Sequence, residues 1–348
     1  MSSPVSARFF LFLSLVVSAL LAHVGKASAE KLSEHPEAPL FIERMQNLHG
    51  FDAQELQKRL ARLTPDARVL KLVAPPASPT QRSWQRYRSR FLEERRIEDG
   101  LAFWRENAAT LTRASLLYGV PEEIVVAIIG IETLYGRNTG DFNTFSALAT
   151  LAFHEPRRAE FFRQELEQLL LLAREQKRDP ESYTGSYAGA LGLPQFMPGS
   201  LRRYAVDFDQ DGRIDLAGSA ADAIGSVAHF LAQHGWREKA PIALPVVVAQ
   251  VAPRRLQDWV DAGIRPTLGL AALRNAGLRP RRGIASEMPD APATFIDLVT
   301  PDASTEYWLG YENFYVISRY NRSSFYAMAV YQSAEALAQR YRLPEERP

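Results

Sequence analysis

The chain has 348 residues, of which 46% are hydrophobic and 23% are charged, and its formal net charge is +1. These proportions exclude a disordered or collagen-like chain, and the near-zero charge argues against a dedicated nucleic-acid-binding protein. The sequence contains no cysteine, which excludes disulfides, thiolate metal sites, cysteine nucleophiles and a cysteine-linked lipid anchor.

Residues 1–29 have the features of a secretory signal peptide. Arg8 is a short basic region, Phe9 to Ala22 is an apolar run, and Ala27-Ser28-Ala29 is a small-residue cleavage site. The alternative is a retained membrane anchor, but an apolar run of about 14 residues is shorter than the ~20 needed to cross a bilayer. We therefore expect export, cleavage near Ala29, and a soluble periplasmic protein without a membrane anchor in its mature form.

Helical periodicity dominates the chain up to about residue 240. Two short helical patterns lie within 38–65, a proline-rich linker covers 74–79, and the apolar spacing over 96–118 indicates strong helix. Other helices are expected at 84–91, after Pro121, after Pro156 to about Lys177, and at about 220–236.

The pattern changes near Pro241. Residues 242–251 are rich in β-branched and apolar side chains and predict a strand, and shorter pieces near 293–299 and 311–317 do the same. A last helix is expected over about 324–341. The sequence thus predicts a mainly α (α+β) protein with a small β-containing insertion.

Glu132 is the most informative single residue. It is the one acid in the apolar segment Ile124–Gly136, which predicts a buried helix. Burial raises the pKa of a carboxyl group and keeps it protonated nearer neutral pH, and a protonated acid is what cleavage of a glycosidic bond requires. The alternative is a structural glutamate that is hydrogen-bonded where the helix reaches the surface.

Two later segments carry groups suited to sugars. Gly185–Pro198 combines glycines, Ser186, Gln195 and aromatic side chains, and it lacks the phosphate-loop and serine-hydrolase patterns. Ile317–Tyr326 contains Tyr320, Asn321 and Tyr326, although Asn321 or Ser323 could equally cap the final helix.

Together, Glu132-Thr133-Leu134-Tyr135-Gly136, Gly185–Pro198 and Tyr320-Asn321-x-Ser323 resemble the lytic murein transglycosylase B family, in the family's order and from about Trp84 onwards. The resemblance implies a lysozyme-like helical core with an extra α-domain and a small β-domain. The implied division is 1–29 signal peptide, 30–79 N-terminal helices and linker, 80–240 catalytic core, 241–315 β-containing domain and 316–348 C-terminal motif and helix.

The resemblance also implies cleavage of the MurNAc-β-1,4-GlcNAc bond of peptidoglycan without water, giving 1,6-anhydro-MurNAc ends. Glu132 would act first as acid and then as base, since Asp141 and Glu155 have no spacing that places them opposite it. Residue by residue, the implied substrate contacts are Ser186, Gln195, Tyr320, Asn321 beside the glutamate, Tyr326, Tyr87, and Arg157 and Arg158 facing carboxylates of the glycan. For the two arginines, a solvated helix start is an equal alternative.

Residues 207–222 resemble an EF-hand loop. Asp207, Asp209 and Asp211 supply oxygens at positions 1, 3 and 5, and the carbonyl of Arg213 is available at position 7. Position 12 is glycine, so a standard loop is incomplete; in the family resembled, a longer loop is closed by an aspartate that corresponds to Asp222. We expect a structural Ca²⁺ here and no organic cofactor, with a metal-free acidic turn as the alternative.

Two rival functions remain open at this level. One is a hydrolytic muramidase of the same fold, and the other is a non-catalytic periplasmic glycan-binding protein. In every case the expected partner is the glycan strand of peptidoglycan rather than nucleic acid, and a monomer is expected.

Overall fold

The computed structural model describes residues 30–75, 81–285 and 287–343. The predicted signal peptide, residues 76–79 of the linker, and the chain beyond 343 lie outside the described residues. In the described part, no single helix is long and apolar enough to cross a membrane, although one sharply bent pair of helices has the necessary length and composition.

The described α-helices are α1 (Glu37–His49), α2 (Ala53–Ala61), α3 (Ala67–Val73), α4 (Trp84–Arg88), α5 (Glu94–Glu106), α6 (Ala108–Tyr118), α7 (Glu122–Thr133), α8 (Thr144–His154), α9 (Ala159–Glu175), α10 (Pro198–Tyr204), α11 (Ala220–Gln233), α12 (Pro253–Asp261), α13 (Leu270–Asn275), α14 (Glu312–Ser318) and α15 (Ser324–Tyr341). The strands are β1 (Phe142–Asn143), β2 (Thr184–Gly185), β3 (Ala243–Val248), β4 (Leu278–Pro280), β5 (Thr294–Leu298) and β6 (Glu306–Gly310). Short 3-10 helices cover Leu32–Glu34 and Pro180–Ser182. The predicted mainly α class is confirmed.

α7 is the central helix of the core. Seven consecutive residues from Ile124 to Gly130 are buried, because α5, α6, α11 and α15 all pack around it. An apolar helix gains most from this position, since each of its faces is removed from water. The same packing fixes the position of the acid at its C-terminal end.

The stretch 96–118 forms two helices rather than one. α5 and α6 meet at Asn107, whose backbone leaves the helical region at φ −109° and ψ 17°. Its side-chain amide donates to the carbonyl oxygen of Phe103 at 2.9 Å, which satisfies the end of α5. Because apolar spacing continues across the junction, the sequence pattern does not reveal the bend.

A four-stranded antiparallel sheet in the order β4-β3-β6-β5 lies between α11 and α14 in the chain. It has an apolar cluster of its own, which includes Leu244, Leu278, Phe295 and Leu309. The strand predicted at 311–317 is wrong: the strand ends at Gly310 and α14 follows. A short apolar run does not distinguish a strand from a buried helix, and here burial of Phe314, Val316 and Ile317 settles the outcome.

Candidate active site

Glu132 lies in the last turn of α7, where the chain leaves the helix through an unusual turn. Leu134, Tyr135 and Gly136 have φ angles of 53°, 59° and 89°, so three successive residues adopt left-handed backbone. For the two residues other than glycine this conformation is strained, and strain of this kind persists only where surrounding contacts impose it.

Thr133 is one of these contacts. Its hydroxyl is buried, donates to the carbonyl oxygen of Leu193 at 2.9 Å, and accepts from the backbone N–H of Gly136 at 3.0 Å. Thr133 therefore ties the end of the helix to the glycine-rich loop while holding the turn closed.

Tyr135 is the second contact. Its hydroxyl donates to the carbonyl oxygen of Arg96 at 3.2 Å, and its ring fills the space beside two glycines. A Cβ atom on Gly130 would lie 2.5 Å from the Tyr135 hydroxyl, and one on Gly100 would lie 2.4 Å from it. Both helices therefore need glycine where they pack against this ring.

The carboxyl group of Glu132 is partly buried and has one close polar partner. The Tyr326 hydroxyl donates to Oε1 of Glu132 at 2.7 Å. Burial raises the pKa of Glu132 from 4.5 to about 7, and the hydrogen bond from Tyr326 opposes part of that rise because it favours the charged form. At neutral pH a large fraction of Glu132 therefore keeps its proton.

Three tyrosines surround this carboxyl group. Burial and then the charge of Glu132 raise the pKa of Tyr87, and they hold the pKa values of Tyr320 and Tyr326 well above the usual range. The rings of Tyr320 and Tyr326 stack with centroids 6.3 Å apart, and the Tyr320 hydroxyl donates to the carbonyl oxygen of Pro194 at 2.5 Å. Residues far apart in the chain thus meet at one carboxyl group.

The side chains of Ser186 and Gln195 hold the shape of the glycine-rich loop. Ser186 Oγ accepts from the Ala190 N–H at 3.0 Å. Gln195 Nε2 donates to the carbonyl oxygens of Thr139 and Gly192 at 3.1 and 2.9 Å, so the loop is joined to the segment that follows α7. Gln195 itself has φ 51°, which the surrounding hydrogen bonds impose.

Asn321 is exposed, and among the described residues its side chain has no hydrogen bond to Glu132. Its role beside the glutamate stays a prediction. The cap of α15 is Ser323, whose hydroxyl accepts from the Tyr326 N–H at 3.3 Å. The cap fixes the start of the helix that carries Tyr326.

Arg157 and Arg158 follow the C-terminal end of α8, and among the described residues neither side chain hydrogen-bonds to Glu132. Their contact with carboxylates of the glycan stays a prediction. Arg157 Nε pairs with Glu155 at 2.7 Å, and Arg158 lies over the ring of Phe161. The ion pair with Arg157 also holds the pKa of Glu155 below its usual range, which favours the ionised form of that carboxyl group.

The carboxylates of Asp207, Asp209 and Asp211 form a cluster in which the nearest oxygens lie within 4.8 Å of one another. This donor set suits a hard cation with oxygen ligands. Arg213 Nη2 contacts Asp211 Oδ2 at 3.2 Å, which partly neutralises the cluster in the absence of metal.

Asp222 does not join this cluster. It is almost fully buried, and its two oxygens accept backbone N–H groups of Phe208 and Asp215, each at 2.7 Å. In this arrangement Asp222 shapes the loop from inside rather than adding a fourth carboxylate to the group of three.

The sequence pattern did not reveal the roles of Thr133 and Tyr135, although both belong to the motif Glu132-Thr133-Leu134-Tyr135-Gly136. Their partners lie 60 and 39 residues away along the chain. The available signal was Gly130, an unexplained glycine in the middle of an apolar helix, which costs helix stability unless a neighbour needs the space.

The sequence matches the family described as Transglycosylase SLT domain over residues 33–335. The membrane-bound lytic murein transglycosylase B of Escherichia coli K12 is 41% identical over 315 residues, which cover 88% of this chain and 84% of that protein.

Three solved structures are also similar. The soluble lytic transglycosylase SltB1 of Pseudomonas aeruginosa has a TM-score of 0.78 and 44% identity, covering 88% of this chain and 99% of its own. The Escherichia coli lytic transglycosylase Slt35 in complex with calcium has a TM-score of 0.77 and 39% identity, and the match covers 90% of this chain and 96% of that one. SltB3 of Pseudomonas aeruginosa in complex with NAG-anhNAM-pentapeptide has a TM-score of 0.73 and 29% identity, and the match covers 89% of this chain and 81% of that one.

Proposed function

The chain belongs to the transglycosylase SLT-domain family, and we propose that it cleaves the MurNAc-β-1,4-GlcNAc bond of peptidoglycan with Glu132 as its single acid and base. It is a lytic transglycosylase, a lyase that acts on peptidoglycan. The observation that carries the mechanism is a carboxyl group with a pKa of about 7 that is hydrogen-bonded to Tyr326 and has Tyr87 and Tyr320 near it.

In the first step Glu132 donates its proton to the glycosidic oxygen, and the bond from that oxygen to C1 of MurNAc breaks. Tyr326 holds Oε1, and no described residue hydrogen-bonds to Oε2, so Oε2 is the oxygen that delivers the proton. A pKa near the working pH suits this role, because the acid is both populated and ready to release its proton. The N-acetyl group of MurNAc supports the charge that develops at C1.

In the second step the ionised Glu132 accepts the proton of the C6 hydroxyl, whose oxygen attacks C1 and closes the 1,6-anhydro ring. The proton that was lost in the first step is thus regained, and no water is consumed. The hydrogen bond from Tyr326 supports the carboxylate between the two steps, since a charge-assisted hydrogen bond is stronger than a neutral one. No second carboxylate is required.

The surrounding residues bind the glycan in this proposal. Tyr87 is half-buried and stacks on a sugar ring, and the loop shaped by Ser186 and Gln195 presents its backbone to acetamido groups. The ring of Tyr326 is buried, so Tyr326 holds Glu132 and does not stack on a sugar as the resemblance implied. Asn321 is exposed at the edge of this site, where a sugar hydroxyl can reach it. Arg157 and Arg158 face carboxylates of the glycan in this proposal.

The test is mass spectrometry of the fragments released from purified peptidoglycan by the wild type, Glu132→Gln and Asp141→Asn. Asp141 is exposed and close in sequence, which makes it a matched control. We expect products one water lighter than hydrolytic ones from the wild type and Asp141→Asn, and none from Glu132→Gln. Reducing-end products would assign a hydrolytic muramidase, and loss of products with Asp141→Asn would refute the single-carboxylate mechanism.

We further propose that Asp207, Asp209, Asp211 and the carbonyl of Arg213 hold a structural Ca²⁺ that stabilises the loop, with Asp222 arranging its backbone. The three carboxylates lie close enough to repel one another, and a divalent cation removes that repulsion. We expect Ca²⁺ to raise the melting temperature of the wild type, and to raise the melting temperature of Asp209→Asn by less. An unchanged melting temperature with Ca²⁺ and with a chelator would contradict the proposal.

The place of action proposed here is the periplasm, where peptidoglycan lies. Residues 1–29 would direct export, and cleavage near Ala29 would release the mature chain. The N-terminal sequence of the protein purified from the periplasm tests this point. A first residue well before Glu30, or recovery only with membranes, would contradict cleavage and indicate an anchored form.

A further inference from the structure

A second cleft, separate from the Glu132 pocket, lies between α4, α15 and the four-stranded sheet. Its volume is about 1090 Å³, and none of the described residues assigned above to glycan cleavage lines it. A cleft of this size holds a ligand as large as a short peptide. Trp308 and Tyr331 form an aromatic pair in its lining, with ring centroids 6.1 Å apart.

Two glutamates lie near one another in the lining of the cleft. Glu335 of α15 and Glu123 at the start of α7 both line it, and the charge of Glu123 adds to burial in raising the pKa of Glu335. The charge of Arg342 lowers the pKa of Glu335, but Arg342 forms no ion pair with Glu335 in the described structure. Two glutamates that share one weak countercharge are a favourable site for a ligand's ammonium group.

The cleft also carries arginines from different elements. Arg281 follows β4, is exposed, and has no side-chain partner among the described residues, while Arg88 of α4 is held by a 2.7 Å bond from its Nε to Gln332. Guanidinium groups bind carboxylates well because their donors match the two oxygens. Glu306 of β6 also lines the cleft, so three acids and three arginines balance one another overall.

We propose that this cleft binds a zwitterionic peptide, the stem peptide of peptidoglycan, with its amine beside Glu123 and Glu335 and its carboxylates on Arg281 and Arg88. The stem carries a diamino acid and several free carboxylates, and the amides of Gln85 and Gln339 suit its peptide groups. This inference rests on the proposed function, since it assigns a second part of the same substrate.

The cleft shares a helix with the glycan site. On α4, Trp84 and Arg88 line the cleft, whereas the pKa of Tyr87 responds to the charge of Glu132. α4 is also joined to the residue that follows β5, because the Trp84 N–H donates to the carbonyl oxygen of Val299 at 2.7 Å. A stem peptide bound here would hold its own glycan strand beside the glycan strand that is being cut.

The test is calorimetric titration of the full chain with the tripeptide L-Ala-γ-D-Glu-diaminopimelate, free of sugar. We expect Arg281→Gln and Glu335→Gln each to weaken binding about tenfold, as loss of one charge-assisted contact would. Arg254→Gln and Glu43→Gln, at exposed positions on α12 and α1, are the matched controls and should bind as the wild type does. Melting temperatures show that each variant is folded.

A second measurement changes the ligand. Acetylation of the side-chain amine of diaminopimelate should weaken binding to the wild type and remove the difference between the wild type and Glu335→Gln. Absence of binding, or equal binding by all variants, would overturn the proposal. Cleavage of peptide-free glycan strands by the wild type tests the proposed function separately. If these strands are cut but the tripeptide does not bind, the cleft proposal is wrong and the proposed function stands.

Discussion

Replacing the carboxyl group of Glu132 by an amide separates its chemistry from its effect on stability. Glu132→Gln keeps the size of the protonated acid and an oxygen that can accept the hydrogen bond from Tyr326, but it removes ionisation. We expect lytic activity to be lost at every pH, because the amide can neither donate nor accept the transferred proton.

The effect of the same substitution on the free energy of unfolding depends on pH, because the folded structure raises the pKa of Glu132. The pKa of Glu132 is about 7 in the folded protein and 4.5 as the ordinary value. Each unit of pKa difference corresponds to about 1.4 kcal/mol, so ionising Glu132 costs the folded state about 3 kcal/mol.

The sign follows from the raised pKa. Below pH 4.5 the carboxyl group is protonated in both the folded and the unfolded chain, so the wild type bears no cost there. The cost grows as the pH rises from 4.5 and is complete above about pH 7, where the folded state ionises too. We therefore expect Glu132→Gln to gain about 3 kcal/mol relative to the wild type between pH 4 and pH 8.

The assay is urea unfolding of both proteins at the two pH values, with Asp141→Asn as the exposed control. Subtracting the wild type from the variant at each pH cancels the many other groups that titrate. A difference that is the same at pH 4 and pH 8 would refute the buried, proton-retaining glutamate, and with it the reason for assigning Glu132 as the acid.

Three further changes test the surroundings of this carboxyl group. Tyr326→Phe removes a hydrogen bond that favours the ionised form, so the alkaline limb of the activity profile should move up by about one pH unit, which kinetics from pH 5 to pH 9 would measure. Thr133→Val should lower kcat about tenfold and stability by about 2 kcal/mol, whereas Thr133→Ser should retain both, because only the hydroxyl joins helix and loop. Gly130→Ala should cost about 1–3 kcal/mol in denaturant unfolding through overpacking, and Gly269→Ala, with open space around it, should not.

The sequence by itself determined the class of the fold and singled out Glu132 as the candidate acid. An apolar helix is stable in a protein where other elements cover its faces. Helices packed on all sides of α7 remove its apolar side chains from water. The order of the three motifs indicated a peptidoglycan lytic transglycosylase, and the comparisons confirm that family and activity.

Local signals were weaker where apolar spacing is ambiguous. The bend at Asn107 and the helix α14 at 312–318 were both missed, because apolar periodicity continues through a bend and a short apolar run suits either helix or strand. The helices α12 and α13 inside the β-containing region were not foreseen either.

Only the tertiary structure decided how the site is held together. The hydrogen bonds from Tyr326 to Glu132 and from Thr133 to Leu193 join residues 194 and 60 positions apart, and no local pattern encodes such a pairing. The pKa of Glu132 is likewise a property of what surrounds it, since desolvation depends on elements that meet only in the folded chain. A sequence specifies which groups are available, and packing specifies which of them share a low-dielectric pocket.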